Sequence, residues 1–216
     1  FENNETKECD YLIISDGVFS KSKNIISNNK IKPKHNETLA IRGILNKSLE
    51  NIDDKNINLI LGPDFHQVIY PTNAHGELNF IALLKYQLSA DEQKNYSLFN
   101  DNSFIQKVLE RIPLENKNFL DNLSELKIFP VFISENFYKI QSSNIHLIGD
   151  AFFAFPPSFA QGASQSIEGA YELFKNIKNN TEDNFFKNRV NKTKMVNIRS
   201  KFNQFAFHLS NPLTIF

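Results

Sequence analysis

Thirty residues, 144 to 173, read NIHLIGDAFFAFPPSFAQGASQSIEGAYEL and restrict the fold more than any other part of the chain. Ile145, Leu147 and Ile148 form a short apolar run that stops at Gly149-Asp150, the pattern of a buried strand delivering a carboxylate to its carboxyl end. Open α/β sheets bind ligands in the crevice outside that edge. After the aromatic loop Phe152 to Phe155 and the rigid Pro156-Pro157 pair, Gln161-Gly162-Ala163-Ser164 opens a helix with apolar positions Ala163, Ile167, Ala170, Tyr171, Phe174 and Ile177. Glycine in a first helical turn lets a ligand approach the backbone, and the unpaired N–H groups there favour an anionic or electron-rich group. Strand, carboxylate, proline loop and helix start are therefore expected at one spot.

Physical grounds alone leave two readings open. The stretch is either a cofactor pocket or a buried strand joined to a core helix by a loop, with Asp150 as a cap and the phenylalanines as packing. GDAFFAFPPSFAQGASQSIEGA resembles the GDAAHxxxPxxGQGxNxxxEDA motif of the FAD-dependent aromatic monooxygenases, the family of the para-hydroxybenzoate, salicylate and ubiquinone-pathway hydroxylases. The resemblance implies that Asp150, preceded by Gly149, binds the ribityl or ribose hydroxyls of FAD. It also implies that Pro156, Gln161, Gly162, Ala163 and Ser164 lie against the flavin and its pyrophosphate. The chain departs from the motif at Phe153 for His, Phe159-Ala160 where Gly is common, Ser164 for Asn and Gly169 for Asp.

Nearer the amino end, DYLIISDGVFS reads as a buried strand, Tyr11 to Ile14, and a tight turn in which Gly17 takes positive φ and Asp16 caps. The same run resembles the family's GADGxxSxxR motif, which implies that Asp16 and Gly17 lie near the FAD pyrophosphate and the nicotinamide cofactor. Lys23 stands where Arg is usual, so charge is kept without the guanidinium fork. Residues 27 to 37, with Lys30, Lys32, Lys34 and His35, read as a solvated surface loop.

Leu39 to Leu45, Ile57 to Leu61, Gln67 to Tyr70 and Leu78 to Lys85 are strand candidates separated by turns at Gly62-Pro63 and Asn73 to Gly76, a pattern for an antiparallel sheet. AIRGIL and HQVIYPTNAHGELNFIALLK are similar to the sheet of the family's substrate domain, and the resemblance makes Arg42 and Tyr70 candidates to face substrate or flavin. An exposed sheet face is the alternative for Arg42. His66 and His75 have no metal-ligand spacing and read as turn or surface histidines; no metal site is expected. Residues 89 to 125 read as two amphipathic helices around Pro113, and KIFPVFIS as a strand whose Pro130 places it at a sheet edge or bulge. Thr181 is a candidate cap for a last helix, where Met195, Ile198, Phe202, Phe205 and Leu209 read as a core-packing stripe. His208 reads as structural.

The 216 residues carry 24 basic and 24 acidic side chains, so no overall field favours nucleic acid or an anionic membrane. The single Cys9 precludes an intramolecular disulfide and suits a reducing compartment. No stretch reaches the ~18 apolar residues of a membrane span, and a cytoplasmic protein is expected. Complete members of the family open on a GxGxxG turn that holds the FAD pyrophosphate, yet no two of the seven glycines here are separated by one residue. A carboxyl-terminal fragment, or a subunit completed by a partner chain, is expected.

The expected fold is α/β: a discontinuous, Rossmann-like FAD domain (1–30 and 135–216) around an inserted, mainly antiparallel β substrate domain (31–134). The resemblance implies an FAD-dependent monooxygenase that takes electrons from NADH or NADPH and hydroxylates a small aromatic substrate with oxygen through a flavin hydroperoxide. No catalytic base is assigned. A flavoprotein reductase or halogenase of the same superfamily is one alternative. A remnant or partner-dependent subunit that does not bind FAD alone is the other.

Overall fold

The computed structural model describes residues 5–28, 30–45, 52–72, 76–112 and 122–209. The chain divides into two compact units, Phe1–Lys34 with Phe132–Phe202, and His35–Val131 with Asn203–Phe216. The sequence boundaries at 30 and 134 compare with 34 and 131 here, and residues 203–216 group with the second unit instead of the first.

In the first unit β1 (Leu12–Ile14) pairs in parallel with β7 (Ile145–Leu147), with Leu12 opposite Ile145 and Ile14 opposite Leu147. Around this pair lie α1 (Lys21–Ile26), the single turn α3 (Gly149–Phe152), α4 (Gly162–Lys178) and α5 (Phe185–Phe207), whose last residues belong to the second unit. Ser20 caps α1 by accepting from the Lys23 N–H at 3.0 Å, satisfying one of the donors that a helix start leaves unpaired. Ile14, Leu147, Ala151, Phe152 and Phe153 form the core. Phe153, at the position of the family's His, lies stacked on Phe137 with ring centroids 4.3 Å apart.

Several readings of this unit change with its packing. Strand β1 is not buried throughout: Ile14 is, whereas Leu12 and Ile13 are 45% and 47% exposed on opposite faces. Ile167, Tyr171 and Phe174 of α4 are exposed, and the helix packs through Gly169 and Leu173. On α5 the stripe Met195, Ile198, Phe202 and Phe205 also faces solvent, while Phe185, Arg189, Thr193, Val196 and Ser200 are buried. The Arg189 guanidinium decides this rotation. It donates to the Gln165 carbonyl at 2.5 Å and to Gln165 Oε1 at 2.8 Å, and it pairs with Glu168 and Glu172 at 3.4 and 3.5 Å. Gly169 leaves room for it: a Cβ there would sit 3.1 Å from Arg189 Nε. Thr181 does not cap; its hydroxyl donates back to the Asn176 carbonyl.

The second unit is built on a sheet of order β3-β4-β5-β2-β6, from β2 (Lys34–Leu45), β3 (Asn58–Gly62), β4 (Phe65–Pro71), β5 (Leu78–Lys85) and β6 (Leu123–Ile133). Strand β6 is an edge strand, which tolerates Pro130 because a proline has no N–H to give a neighbour. One face carries Leu39, Ile41, Leu45, Ile69, Leu78, Phe80 and Leu84 against Phe104, Val108 and Leu109 of α2 (Asn102–Leu109). Leu123 and Leu126 belong to β6 instead of a second helix, and the rest of that expected helix, Pro113 to Asp121, lies outside the described residues. Residues 73–75, with the expected turn and His75, also lie outside them. His35 is a buried residue of β2, not part of a solvated loop.

His66 is corrected too: it is 2% exposed on β4, and its Nδ1 lies 2.8 Å from His208 Nε2. The Phe207 ring meets it edge-on at 5.2 Å. The Asp64 N–H donates to the His208 carbonyl, and Asp64 pairs with Lys85 at 3.2 Å. Burial, aided by the neighbouring His208, holds the His66 pKa down to about 4 from 6.5. His208 is also lowered, first by burial and then by Lys85, against the pull of Asp64.

Two outcomes follow from this packing. Gly169→Ala crowds Arg189, which must give by a few tenths of an ångström among its fixed partners, and is expected to cost about 1 kcal/mol of stability in urea unfolding, the low end of the range for overpacking. Folding favours neutral His66, so its contribution is full above pH 6.5 and is lost as pH falls toward 4. That loss amounts to about 3 kcal/mol, and an acid-side stability titration of His66→Phe should be flatter than wild type.

Candidate functional site

Because β1 and β7 run parallel and in register, the loops that leave them emerge at the same end. One loop carries Asp16 and Gly17, the other Gly149 and Asp150. Gly17 has φ of 81° and Gly149 of 58°, conformations that an L side chain rarely adopts. Gly149 is further constrained by packing, since a Cβ there would stand 3.2 Å from Ser166 Oγ. Gly149, Asp150, Gly162 and Ser166 line one narrow crevice of about 10 Å³ with Gly169 and Arg189. The structure thus brings Asp150 and the start of α4 together. Gln161 occupies the N-cap position of α4 but makes no side-chain cap, so the first N–H groups are left for another acceptor. Gly162, Ala163 and Ser164 are exposed, and the space a Gly162 Cβ would occupy is open. Pro156 is fully buried and enters the 3₁₀ turn Pro157–Phe159.

Two residues matter more here than their sequence signals suggested. Ser166 hydrogen-bonds back to the Gly162 carbonyl at 2.9 Å and is the α4 residue that lies against Gly149. Its signal is the spacing 162, 166, 169. Lys23 is 3% exposed, and its Nζ donates to the Ala151 carbonyl at 2.9 Å, tying α1 to the turn that presents Asp150. Burial pushes the Lys23 pKa down while the carboxylates of Asp16 and Asp150 pull it back up. Burial raises the Asp150 pKa, opposed by the Lys23 charge. For Asp16 burial acts upward but is overcome by hydrogen bonds from Ser20 and Ser22, including the Ser22 N–H at 3.1 Å, and the net shift is downward. One buried ammonium therefore serves two carboxylates, both accessible and both able to accept hydrogen bonds from hydroxyls.

Arg42 and Tyr70 belong to the second unit. In the register Arg42 lies opposite Ile81 and Ile81 opposite Val68, while Tyr70 lies opposite Asn79 and Asn79 opposite Ile44. Facing residues share a side, so Arg42 and Tyr70 stand on the same face of the sheet, the one turned away from its α2-packed core. Arg42 is exposed and Tyr70 half-buried. No group of three or more metal-ligating side chains occurs among the described residues.

Lys23→Met keeps the side-chain length and deletes the charge. Asp150 should then titrate at higher pH than in wild type, followed by carboxyl-carbon NMR, and an unchanged titration would rule out the coupling.

Residues 2–183 match the family model described as an FAD binding domain. No curated protein sequence matches. Among solved structures, Klebsiella pneumoniae HpxO complexed with FAD and uric acid superposes with a TM-score of 0.71 at 14% identity, over 96% of this chain and 54% of that one. A salicylate hydroxylase substrate complex gives 0.70 at 18% identity, over 97% and 58% of the two chains. A tetracycline destructase gives 0.69 at 12% identity, over 96% and 58%. The chain spans little more than half the length of these structures, and at such identities the likeness concerns the fold. With the family model covering most of its length, the chain belongs to the FAD binding domain family.

Proposed function

We propose that this chain supplies the second part of an FAD domain and the substrate sheet of a flavin-dependent monooxygenase. The observation that carries the reading is the crevice where the exposed Asp150 carboxylate meets the uncapped start of α4. A carboxylate accepts hydrogen bonds from ribityl or ribose hydroxyls, and free helical N–H groups donate to an electron-rich ring edge or a phosphate oxygen. These residues fit FAD: Asp16, Gly17, Gly149, Asp150, Gln161, Gly162, Ala163 and Ser164 would hold it, whereas Pro156, expected against the flavin, is fully buried and would only shape the turn. Bound there, FAD would supply redox and oxygen chemistry, with NADH or NADPH as the electron donor.

The chain's own contribution is binding and orientation. Lys23 keeps the Asp150 turn in place, and the helix dipole of α4 favours negative charge at Gly162. Arg42 and Tyr70, on one sheet face, are assigned to a small aromatic substrate: a fixed cation and a phenol suit a carboxylate or hydroxyl on such a ring.

The first unit also leaves work for further polypeptide. Parallel sheets are covered on both faces, yet β1 exposes Leu12 on one and Ile13 on the other, and α4 exposes Ile167, Tyr171 and Phe174. A strand and helix carrying a GxGxxG turn, from the same or a partner chain, would cover β1 and add N–H donors for the pyrophosphate. The crevice at Asp150 measures about 10 Å³, room for about one water. The same observation favours a second reading, in which the chain never binds FAD by itself.

Flavin fluorescence titration tests both. The 216-residue chain should bind FAD weakly or not at all, and the chain completed with a GxGxxG segment should bind it, because several N–H bonds at roughly 1.5–3 kcal/mol each are restored. In the completed protein Asp150→Ala should weaken FAD by about tenfold to a hundredfold, and Ser164→Ala by less. Tight binding by the bare chain would overturn the pyrophosphate assignment, and no binding by the completed protein would overturn the cofactor role.

A further inference from the structure

Beside the Asp150 crevice lies a second cavity of about 50 Å³, which shares the walls Leu147, Phe152 and Phe185 with it and contains none of the residues proposed for FAD. Strand β7, the loop 138–143, the 3₁₀ turn Glu182–Asn184 and the start of α5 enclose it, all within the first unit. Two residues of its lining carry a buried polar atom that has no partner among the described residues, His146 at Nε2 and Glu182 at Oε2. His146 is 8% exposed, and its ring is held by Tyr11, stacked with centroids 6.2 Å apart, and by Phe185, edge-on at 5.9 Å. The Tyr11 hydroxyl donates to Glu182 Oε1 at 3.2 Å, which occupies one carboxylate oxygen and leaves the other. His146 also bonds the Ser143 backbone, and because this contact favours the protonated ring it is made by a ring N–H; with Nε2 unpartnered, that donor is Nδ1. Burial outweighs this bond and the pull of Glu182 and Asp183, so the His146 pKa lies below its usual value and the ring is neutral at pH 7, with Nε2 a bare acceptor.

We propose that this cavity binds a small organic cation through a primary ammonium or amidinium group, whose N–H donors satisfy His146 Nε2 and Glu182 Oε2 together. An ammonium carries donors and no acceptor, which matches two buried acceptors that lack a donor. The charged residues of the wall are Glu182, Asp183 and Lys139, a surplus of one negative charge. Tyr138, Phe152, Phe185 and Phe186 add aromatic surface, and aromatic faces attract cations. At roughly 10–15 Å³ per water the space takes about three to five non-hydrogen atoms, and the exposed Lys139 and Asp183 mark its entrance. The alternatives fit less well. An anion would meet two unpaired acceptors in a negative wall. A metal ion needs three or more converging ligands, and no such group of His, Cys, Asp or Glu occurs among the described residues.

The test follows the His146 ring by carbon–proton NMR, its signal assigned from the spectrum of His146→Gln, while ethylammonium chloride is added to the 216-residue chain at constant ionic strength. The signal should shift saturably with a dissociation constant of about 1 mM, the scale open to so small a ligand. Tetramethylammonium, which has the charge but no N–H, should bind about tenfold more weakly or worse, and propionate should give no saturable shift. Glu182→Gln should weaken ethylammonium by about tenfold or more, since the charge-assisted bond is lost while an oxygen remains for Tyr11. Asp183→Asn, at an exposed position, should weaken it a few-fold with an unchanged circular dichroism melt, and this arm stands even where Glu182→Gln lowers the melt. A His146 signal that drifts without saturating leaves the cavity to water and overturns the proposal. Equal binding of tetramethylammonium overturns the hydrogen-bonded ammonium, and binding unchanged in both Glu182→Gln and Asp183→Asn overturns the site.

Discussion

Everything at the candidate site depends on three residues of parallel pairing. Leu12 to Ile14 and Ile145 to Leu147 are far apart in sequence, and their register determines that the Asp16 and Asp150 loops leave at the same end. A slip of one residue would turn Ile14 and Leu147 out of the core and move both carboxylates, because side chains alternate along a strand. So short a pair has little strength of its own, and the Lys23–Ala151 hydrogen bond supplements it with a link between α1 and the Asp150 turn. That link is a buried charge in contact with a carbonyl. Its removal leaves a partner unsatisfied as well as a charge missing, which is why it couples local stability to the ionisation of Asp150.

Arg189 plays the corresponding part between α4 and α5. A guanidinium buried to 3% exposure needs partners, and one face of α4 supplies them: Gln165 accepts two hydrogen bonds from Nη2, while Glu168 and Glu172 pair with Nη1 by charge without hydrogen-bonding it. The consequence reaches beyond the contact. By spending its inner side on Arg189, Thr193 and Ser200, α5 turns its apolar residues outward, and by meeting α5 through small residues, α4 does the same with Ile167, Tyr171 and Phe174.

Much of the second unit was legible beforehand. Leu78 to Lys85 matches β5, Pro130 lies on an edge strand, and alternation along β2 separates the packed face from the one bearing Arg42. Period-two patterning reports burial well where one face of a sheet packs and the other does not. The pattern misled at Leu123 and Leu126, where apolar spacing compatible with a helix belongs to a strand, and at His66, whose half-buried partner His208 is 142 residues away.

By itself the sequence determined the family, the order of elements around Gly149-Asp150 and the start of the following helix at Gly162, because glycine, proline and short apolar runs act locally on the backbone. It did not determine which side of each helix faces inward. The periodicities of α4 and α5 were read correctly as stripes, and that of α5 wrongly as core, since a stripe records where apolar side chains lie and not what covers them. Only the tertiary structure decided that, through a guanidinium that needs several partners at once and a glycine that makes room for it. The departure at Gly169, an unexplained mismatch to the family motif in the sequence, is in three dimensions the space that Arg189 requires.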